Sequence, residues 1–475
     1  MKISVIGCGY LGAVHAACMA ELGHDVVGID VDPAKVEALN AATPPIFEPG
    51  LGEALAAAIA TGRLRFSTDY AQAAAADVHF IAVGTPQRRG EGAADLTYVD
   101  AAVDALLSHL RPGALVVGKS TVPVGTAQRL ADRVHAAQPA ASLAWNPEFL
   151  REGVAVADTL HPDRIVYGLP TGADGERARA VLDDVYAQAI AAGTPQVVTD
   201  YATAELVKVA ANAFLATKIS FINAMSEVAD AVGADVTHLA EAIGHDARIG
   251  RRFLNAGVGF GGGCLPKDIR AFRARAEELG IGDTLGFLKE VDAINLRQRD
   301  RVVDVVADAL AVNDGGQTTT ATARQQREGR SLDAIGVSRS RNRYLGSGAT
   351  SSLVGRRIAV LGLAFKPESD DIRDSPALDV AVRLKGLGAD VVCADPKAIP
   401  NAREKHPQLA YATTSEALTG AEVVVLLTEW REYRELDPAQ VGALASGRIV
   451  VDGRNVLDPA AWRAAGWTYR GLGRP

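Results

Sequence analysis

The sequence predicts an α/β protein: two open-sheet domains joined by a long helix and a helical middle. Three observations predict it. Short β-branched runs alternate with alanine-rich helical runs as far as about residue 200. A long apolar run with helical spacing starts at Tyr201, and strand-and-helix alternation returns from Arg356. Strands alternating with helices make parallel sheets with helices on their faces. A chain of 475 residues has room for about three domains. The pattern divides it at 1–200, 201–312 and 353–475.

The bulk numbers exclude several classes. Hydrophobic residues make up 48% and charged residues 22%, ordinary for a soluble globular chain. The net charge of −8 gives no electrostatic case for nucleic acid as a partner. Cys8, Cys18, Cys264 and Cys393 are scattered and form no C-x-x-C pair. That argues against a zinc or other metal site and against a disulfide framework, and it suits a reducing, cytoplasmic setting. Met1-Lys2 leads straight into a strand, so no signal peptide is expected. No apolar run approaches the ~18 residues of a membrane span, so no membrane partner is expected.

Ile3–Ile6 reads as the first strand. Gly7-Cys8-Gly9-Tyr10-Leu11-Gly12 follows, then a helical run from Ala13 to Leu22, then a strand Asp25–Ile29 closing on Asp30. A bare G-x-G-x-x-G is a weak signal. Set between strand and helix, with an acid about 20 residues on, it predicts a Rossmann-like dinucleotide domain. Gly7 makes the tight turn, Gly9 lets a pyrophosphate approach, and Gly12 permits close helix packing. Asp30 would bond the adenosine ribose hydroxyls and repel a 2′-phosphate, which favours NAD over NADP. A flavin or nucleotide-sugar site on the same fold is the alternative.

Three more strands end in polar turns. Val78–Val83 ends at Gly84-Thr85-Pro86, Ala114–Gly118 at Lys119-Ser120-Thr121-Val122-Pro123, and Ser142–Trp145 at Asn146–Gly153. Ligands bind off the carboxyl ends of such strands. Thr85, Thr121, Glu148 and Glu152 are therefore candidate site residues, with turn-making or helix capping as the alternative for each. An acid/base role suits one of the two glutamates.

From Tyr201 to Val232 the spacing predicts one long, mostly buried helix. Lys208 and Asn212, four apart, share one of its faces. Lys208 is either functional or a lysine snorkelling over apolar surface. A long apolar helix between two domains needs cover, so a dimer contact is expected there. Arg248–Ala256 is basic, and its arginines either meet phosphate or form a solvated face. A second helical run is predicted from about Thr284 to Val312.

Between these helical runs lies Gly257-Val258-Gly259-Phe260-Gly261-Gly262-Gly263-Cys264-Leu265-Pro266-Lys267-Asp268. Glycine lets backbone pass close to a ligand, and Pro266 suits the first turn of a helix. Cys264 is thus placed at a loop-to-helix junction, where the helix end and Lys267 favour thiolate. The alternative is a small buried hydrophobe beside a flexible loop.

Residues 313–352 are rich in Thr, Gln, Ser, Arg and Gly and have little to bury; a disordered insert is expected. Strands are then predicted at Arg356–Gly362, Ala389–Pro396, Glu422–Thr428 and Arg448–Asp452. They form a second, smaller sheet without the full glycine fingerprint. Its polar points, Lys366, Asp370, Asp371, Arg373 and Asp452-Gly453-Arg454-Asn455, fall at strand ends.

Gly7–Gly12, Ser120–Thr126, Asn146–Gly153, Gly257–Asp268 and Ala364-Phe365-Lys366 together resemble the UDP-glucose/GDP-mannose dehydrogenase family of nucleotide-sugar 6-dehydrogenases. The resemblance covers nearly the whole chain and keeps the motif order. It implies a homodimer or higher oligomer that oxidises the primary alcohol of a nucleotide sugar to a carboxylate with two NAD. It implies UDP-glucose as substrate, with GDP-mannose or another nucleotide sugar as the alternative, and Cys264 as the nucleophile. Lys208 and Asp268 would manage the alcohol proton, Lys208 and Asn212 would stabilise oxyanions, and Glu148 would be the base for thioester hydrolysis.

By the same resemblance, Tyr10, Leu11, Lys35, Thr85, Thr121, Glu152, Lys267 and Arg373 fall on the cofactor side, with Thr121 also counted as catalytic. The sugar side takes Glu148, Phe149, Leu150, Arg151 and Glu152, then Phe253, Leu254, Asn255, Ala256, Gly257 and Gly261, with Lys366. Arg248 resembles an arginine that reaches a neighbouring subunit, and Arg454 a phosphate contact. Two departures stand out. Gly263 occupies a place where serine is common, and the 313–352 insert exceeds the usual connector. A single-step hydroxyacid dehydrogenase would need neither Cys264 nor residues 353–475, and a non-catalytic NAD sensor would not need Cys264, Lys208 and Asp268 together.

Overall fold

The computed structural model of the chain describes residues 1–313 and 353–475. The expected disordered insert lies outside the described residues, except that Asn313 ends a helix, Phe287–Asn313. The described residues group into two compact units. One is Met1–Phe214 with Lys267–Leu288; the other is Leu215–Pro266 with Lys289–Pro475.

The first unit holds strands β1 (Lys2–Ile6), β2 (Asp25–Ile29), β3 (Leu64–Ser67), β4 (Val78–Ile81), β5 (Leu115–Gly118), β6 (Ser142–Trp145), β7 (Ile165–Gly168) and β8 (Gln196–Thr199). They form one sheet in the order β3-β2-β1-β4-β5-β6-β7-β8. Neighbours run parallel except β6 and β7, which pair antiparallel through Trp145 and Gly168. The expected parallel sheet is therefore corrected at that pair. Strand residues sort by period two, as a pleated strand buried on both faces requires. Val78, Phe80, Leu115 and Val117 enter one apolar core; Ile81, Val116 and Leu143 enter the core on the opposite face.

The second unit holds β9 (Arg357–Leu361), β10 (Asp390–Ala394), β11 (Ala410–Tyr411), β12 (Val423–Leu426), β13 (Ile449–Asp452) and β14 (Thr468–Gly471). Their order is β11-β10-β9-β12-β13-β14. It repeats the β3-to-β6 order of the first sheet, and every pair is parallel. The fold is thus α/β with two Rossmann-like sheets, as the sequence predicts. In each, the order reverses beside the first strand, where such folds bind ligands.

In the chain, the helix Tyr201–Val232 follows the first sheet. It is less covered than its apolar composition predicts. Phe214, Phe221, Val228 and Val232 are 66%, 49%, 52% and 70% exposed.

Candidate active site

The carboxyl end of β1 is built as a phosphate-binding turn. Gly7 has a φ of +89°, and a Cβ there would strike Val83. A Cβ on Gly12 would lie 1.8 Å from the Gly7 carbonyl oxygen, so only glycine lets the helix Tyr10–Glu21 start so close to the turn. Gly9 has open space where a Cβ would be. Asp30, just past β2, ties the turn down. Its carboxylate accepts from the Cys8 amide at 2.8 Å and pairs with Lys35 at 3.0 Å. An open glycine over a helix N-terminus, with a buried acid at the next strand, fits a dinucleotide pyrophosphate and ribose.

A second cluster joins residues distant in sequence. Asp268, 2% exposed, accepts from Asn212 Nδ2 at 2.6 Å and from Lys267 Nζ at 2.6 Å. Lys267 also reaches Thr85 Oγ1 at 3.4 Å, and that hydroxyl donates to the Thr121 carbonyl at 2.8 Å. The first unit thus brings Thr85, Thr121, Asn212, Lys267 and Asp268 together. Lys208 is buried on the same helix as Asn212, and its ammonium sits 5.4 Å from the centre of the Phe149 ring.

Phe149 follows Glu148, whose Oε1 accepts from the Phe149 and Leu150 amides. Its Oε2 lies 3.4 Å from Lys119 Nζ. Arg151 turns away from this group to pair with Asp158. Leu150 is partly buried, and Glu152 lies one residue before a turn at Gly153 whose φ is +82°.

In the second unit, the glycine loop is fixed by side chains on both sides. The Gly257 amide donates to Asn223 Oδ1 at 2.8 Å, and the Val258 amide to the Gly453 carbonyl at 2.8 Å. Asn295 holds Phe260 at both backbone atoms, at 2.7 and 3.0 Å. Gly262, at φ +85°, donates its amide to the Arg373 carbonyl. A Cβ on Gly261 would lie 2.3 Å from the Asp374 carbonyl oxygen. A Cβ on Gly263 would fall 2.4 Å from the Arg373 guanidinium carbon, the movable end of a flexible side chain, so a serine there would ask only that Arg373 shift. Cys264 is exposed and directly precedes the helix Leu265–Glu278.

Other expected residues are placed less centrally. Arg454 spends its donors inside the protein, on the carbonyls of Leu427, Gly259 and Phe365, and pairs with Glu429. Lys366 stands over the Phe365 ring. Arg373 pairs with Asp371. Arg248 is almost fully exposed and pairs only locally, with Asp246. Phe253 holds a left-handed φ of +65°, Leu254 and Ala256 are buried, and Asn255 accepts from Arg251 at 2.8 Å.

Models of the UDP-glucose/GDP-mannose dehydrogenase family match three stretches. The NAD binding domain matches residues 1–190, the central domain 202–297 and the UDP binding domain 359–459. The chain belongs to this family. Its cofactor is NAD, in keeping with the glycine turn and Asp30. It is 42% identical to the UDP-glucose 6-dehydrogenase of Rhizobium meliloti over the whole of both chains. It is 38% identical to UDP-glucose 6-dehydrogenase TuaD of Bacillus subtilis, over 100% of this chain and 93% of that one. A solved UDP-glucose dehydrogenase from the hyperthermophilic archaeon Pyrobaculum islandicum aligns with a TM-score of 0.82 at 40% identity, covering 100% of this chain and 98% of that one.

Sequence reasoning missed three buried polar residues of this family member. Glu48 is 4% exposed and accepts from Tyr10 Oη at 2.6 Å and from the Gly153 and Ala155 amides. It thereby links the glycine turn to the 148–153 segment. Glu205, three residues before Lys208, accepts from the Gly125 and Ala127 amides and caps the helix Thr126–Ala137. Burial pushes its carboxyl up to about 7, against the pull of those amides. Lys119 is the third. Each carries one weak sequence signal, a charged residue inside or beside an apolar run.

Proposed function

We propose that the protein is an NAD-dependent UDP-glucose 6-dehydrogenase that forms UDP-glucuronate. NAD, when bound, takes up hydride, and used twice it balances the reaction: one primary alcohol, two NAD+ and one water give one carboxylate, two NADH and three protons. Lys208 and Asp268 manage the proton of the alcohol. Cys264 captures the half-oxidised aldehyde as a thiohemiacetal, and after the second oxidation carries it as a thioester. Lys208 and Asn212 stabilise the oxyanions. Glu148 takes a proton from water as its oxygen attacks the thioester carbon, and the Cys264 thiolate leaves.

Glu152, Thr121, Thr85, Lys35, Lys267 and Arg373 serve the cofactor. The 148–152 segment, the Phe253–Gly257 loop with Gly261, Lys366, Arg248 and Arg454 serve the nucleotide sugar. The observation that carries this reading is an exposed cysteine at the end of a braced glycine loop, in a chain of this family. Incubation with NAD and a panel of UDP- and GDP-sugars tests it. Two NADH per acid with UDP-glucose is expected. One NADH per aldehyde, or a preference for GDP-mannose, overturns it.

We further propose a homodimer built on the helix Tyr201–Val232 and work in the cytoplasm. Phe214, Phe221 and Val228 recur every seven residues, so they share one exposed face of the helix. Among the described residues, no helix is long and apolar enough to cross a membrane. Light scattering of the wild type and of Phe221→Glu checks the dimer; a monomeric wild type removes it.

A further inference from the structure

Lys119 directly follows β5 and is 4% exposed. A lysine so buried is rare unless it is paired or used. Its ammonium donates to Asn146 Oδ1 at 3.0 Å and contacts Tyr186 Oη at 3.2 Å. The Tyr186 hydroxyl in turn donates to Asn146 Oδ1 at 2.6 Å. The remaining direction points at Glu148 Oε2, 3.4 Å away. The other carboxylate oxygen is held by the two backbone amides that follow it. Glu148 is thereby fixed at both oxygens, once by backbone and once by a buried cation.

The surroundings leave this cation a single anionic partner in contact. Tyr186 is kept neutral by burial, which raises its hydroxyl well above the ordinary value. His15, whose ring nitrogens have no hydrogen-bond partner, is held neutral by burial and then by Lys119 itself. Asp158, Asp163 and Arg164 line the same cleft, but Asp158 pairs with Arg151 and Arg164 stacks on Phe149. Burial lowers the lysine's affinity for its proton, and Glu148 opposes that.

We propose that Lys119 is a positioning residue for the hydrolytic half of the reaction: it aims Glu148 so that its carboxylate can take the proton of the attacking water. This rests on the reading of Glu148 as the hydrolytic base. Removing the cation would leave the Glu148 carboxylate held through one oxygen alone, by its two amide donors.

The test uses the full-length protein with NAD and UDP-glucose, followed by NADH formation and by intact mass. In Lys119→Met, thioester hydrolysis should slow by about tenfold, and the acyl-enzyme on Cys264 should accumulate. Lys119→Arg should restore most of the wild-type rate. Lys119→Gln replaces the methionine variant should that one fail to fold. In a Glu148→Gln background, which should itself slow hydrolysis by ~100-fold, Lys119→Met should add nothing. A loss of rate in Lys119→Met with no accumulated acyl-enzyme overturns the role of Lys119 while leaving Glu148 as the base. Wild-type hydrolysis in Glu148→Gln overturns the assignment of Glu148, and this inference with it.

Discussion

The two sheets share one strand order and use it differently. After β1, Gly7-Cys8-Gly9 passes at once into the helix Tyr10–Glu21. After β9, a loop runs from Gly362 to Ser375 before the helix Pro376–Gly386 begins. Each neighbouring strand ends in a buried acid that accepts from the first turn. Asp30 accepts from Cys8, and Asp395 from Leu363 and Ala364 at 2.7 and 3.0 Å. Asp395 also takes the Trp430 indole N–H and the Lys397 and Ala398 amides. Asp30 instead pairs with the partly exposed Lys35.

The ends of β5 and β13 differ in the same sense. Asp452 closes β13 and accepts from the Arg454 and Leu457 amides of its own loop and from the Tyr469 hydroxyl of β14, with burial raising its carboxyl. Lys119 follows β5 and reaches out to Glu148. In the first sheet the strand-end charges pair with opposite charges; in the second they hold loops in place by accepting from amides, an indole and a hydroxyl. A shared topology offers the positions, and the local donors decide their use.

The largest effect that would sharpen this contrast lies on the second unit's glycine loop. Cys264→Ser should lower complete oxidation by about 1,000-fold or more, measured as NADH per acid, with the melting temperature little changed because the side chain is exposed. Retention of full activity breaks the thioester scheme. Next comes Asp395→Ala. It strands several buried N–H groups and should cost roughly 3 kcal/mol in urea unfolding, without altering NAD affinity in the protein that remains folded. A wild-type unfolding curve would remove the structural half of the comparison.

Asp30→Ala should weaken NAD by about tenfold, or ~1.4 kcal/mol, and NADP by less, read by fluorescence titration. Equal losses for both would mean that Asp30 only anchors the turn. The smallest expected effect is at Glu205. Its folded carboxyl titrates near 7, above its ordinary 4.5. The native state therefore holds this proton more tightly than the unfolded chain, and stability falls as pH rises through that window. In Glu205→Gln the slope of unfolding free energy between pH 4.5 and 7 should flatten by up to about one proton; an unchanged slope refutes the assignment.

Much of the fold was legible. The β1 turn and β2 were readable because G-x-G-x-x-G is a local steric demand, and the φ of Gly7 and the tight approach at Gly12 meet it. Strands β4, β5, β6, β9, β10, β12 and β13 were readable because a strand buried on both faces is a short apolar run. Strand β7, Ile165–Gly168, and its antiparallel step from β6 were not, since a four-residue apolar run carries little signal and either direction satisfies it. The helix Tyr201–Val232 was legible as a helix, but its exposed apolar face was not, because periodicity does not say what lies opposite.

By itself the sequence determined where glycine must stand and where cysteine meets a helix. These follow from short-range sterics and from strand and helix periods. Only the tertiary structure decided that Glu48 would bond an amide 105 residues away, that Asn295 would brace the cysteine loop, and that Lys119 would face Glu148. A buried charge is tolerable only beside its partner, and which partner arrives depends on how distant segments close upon one another.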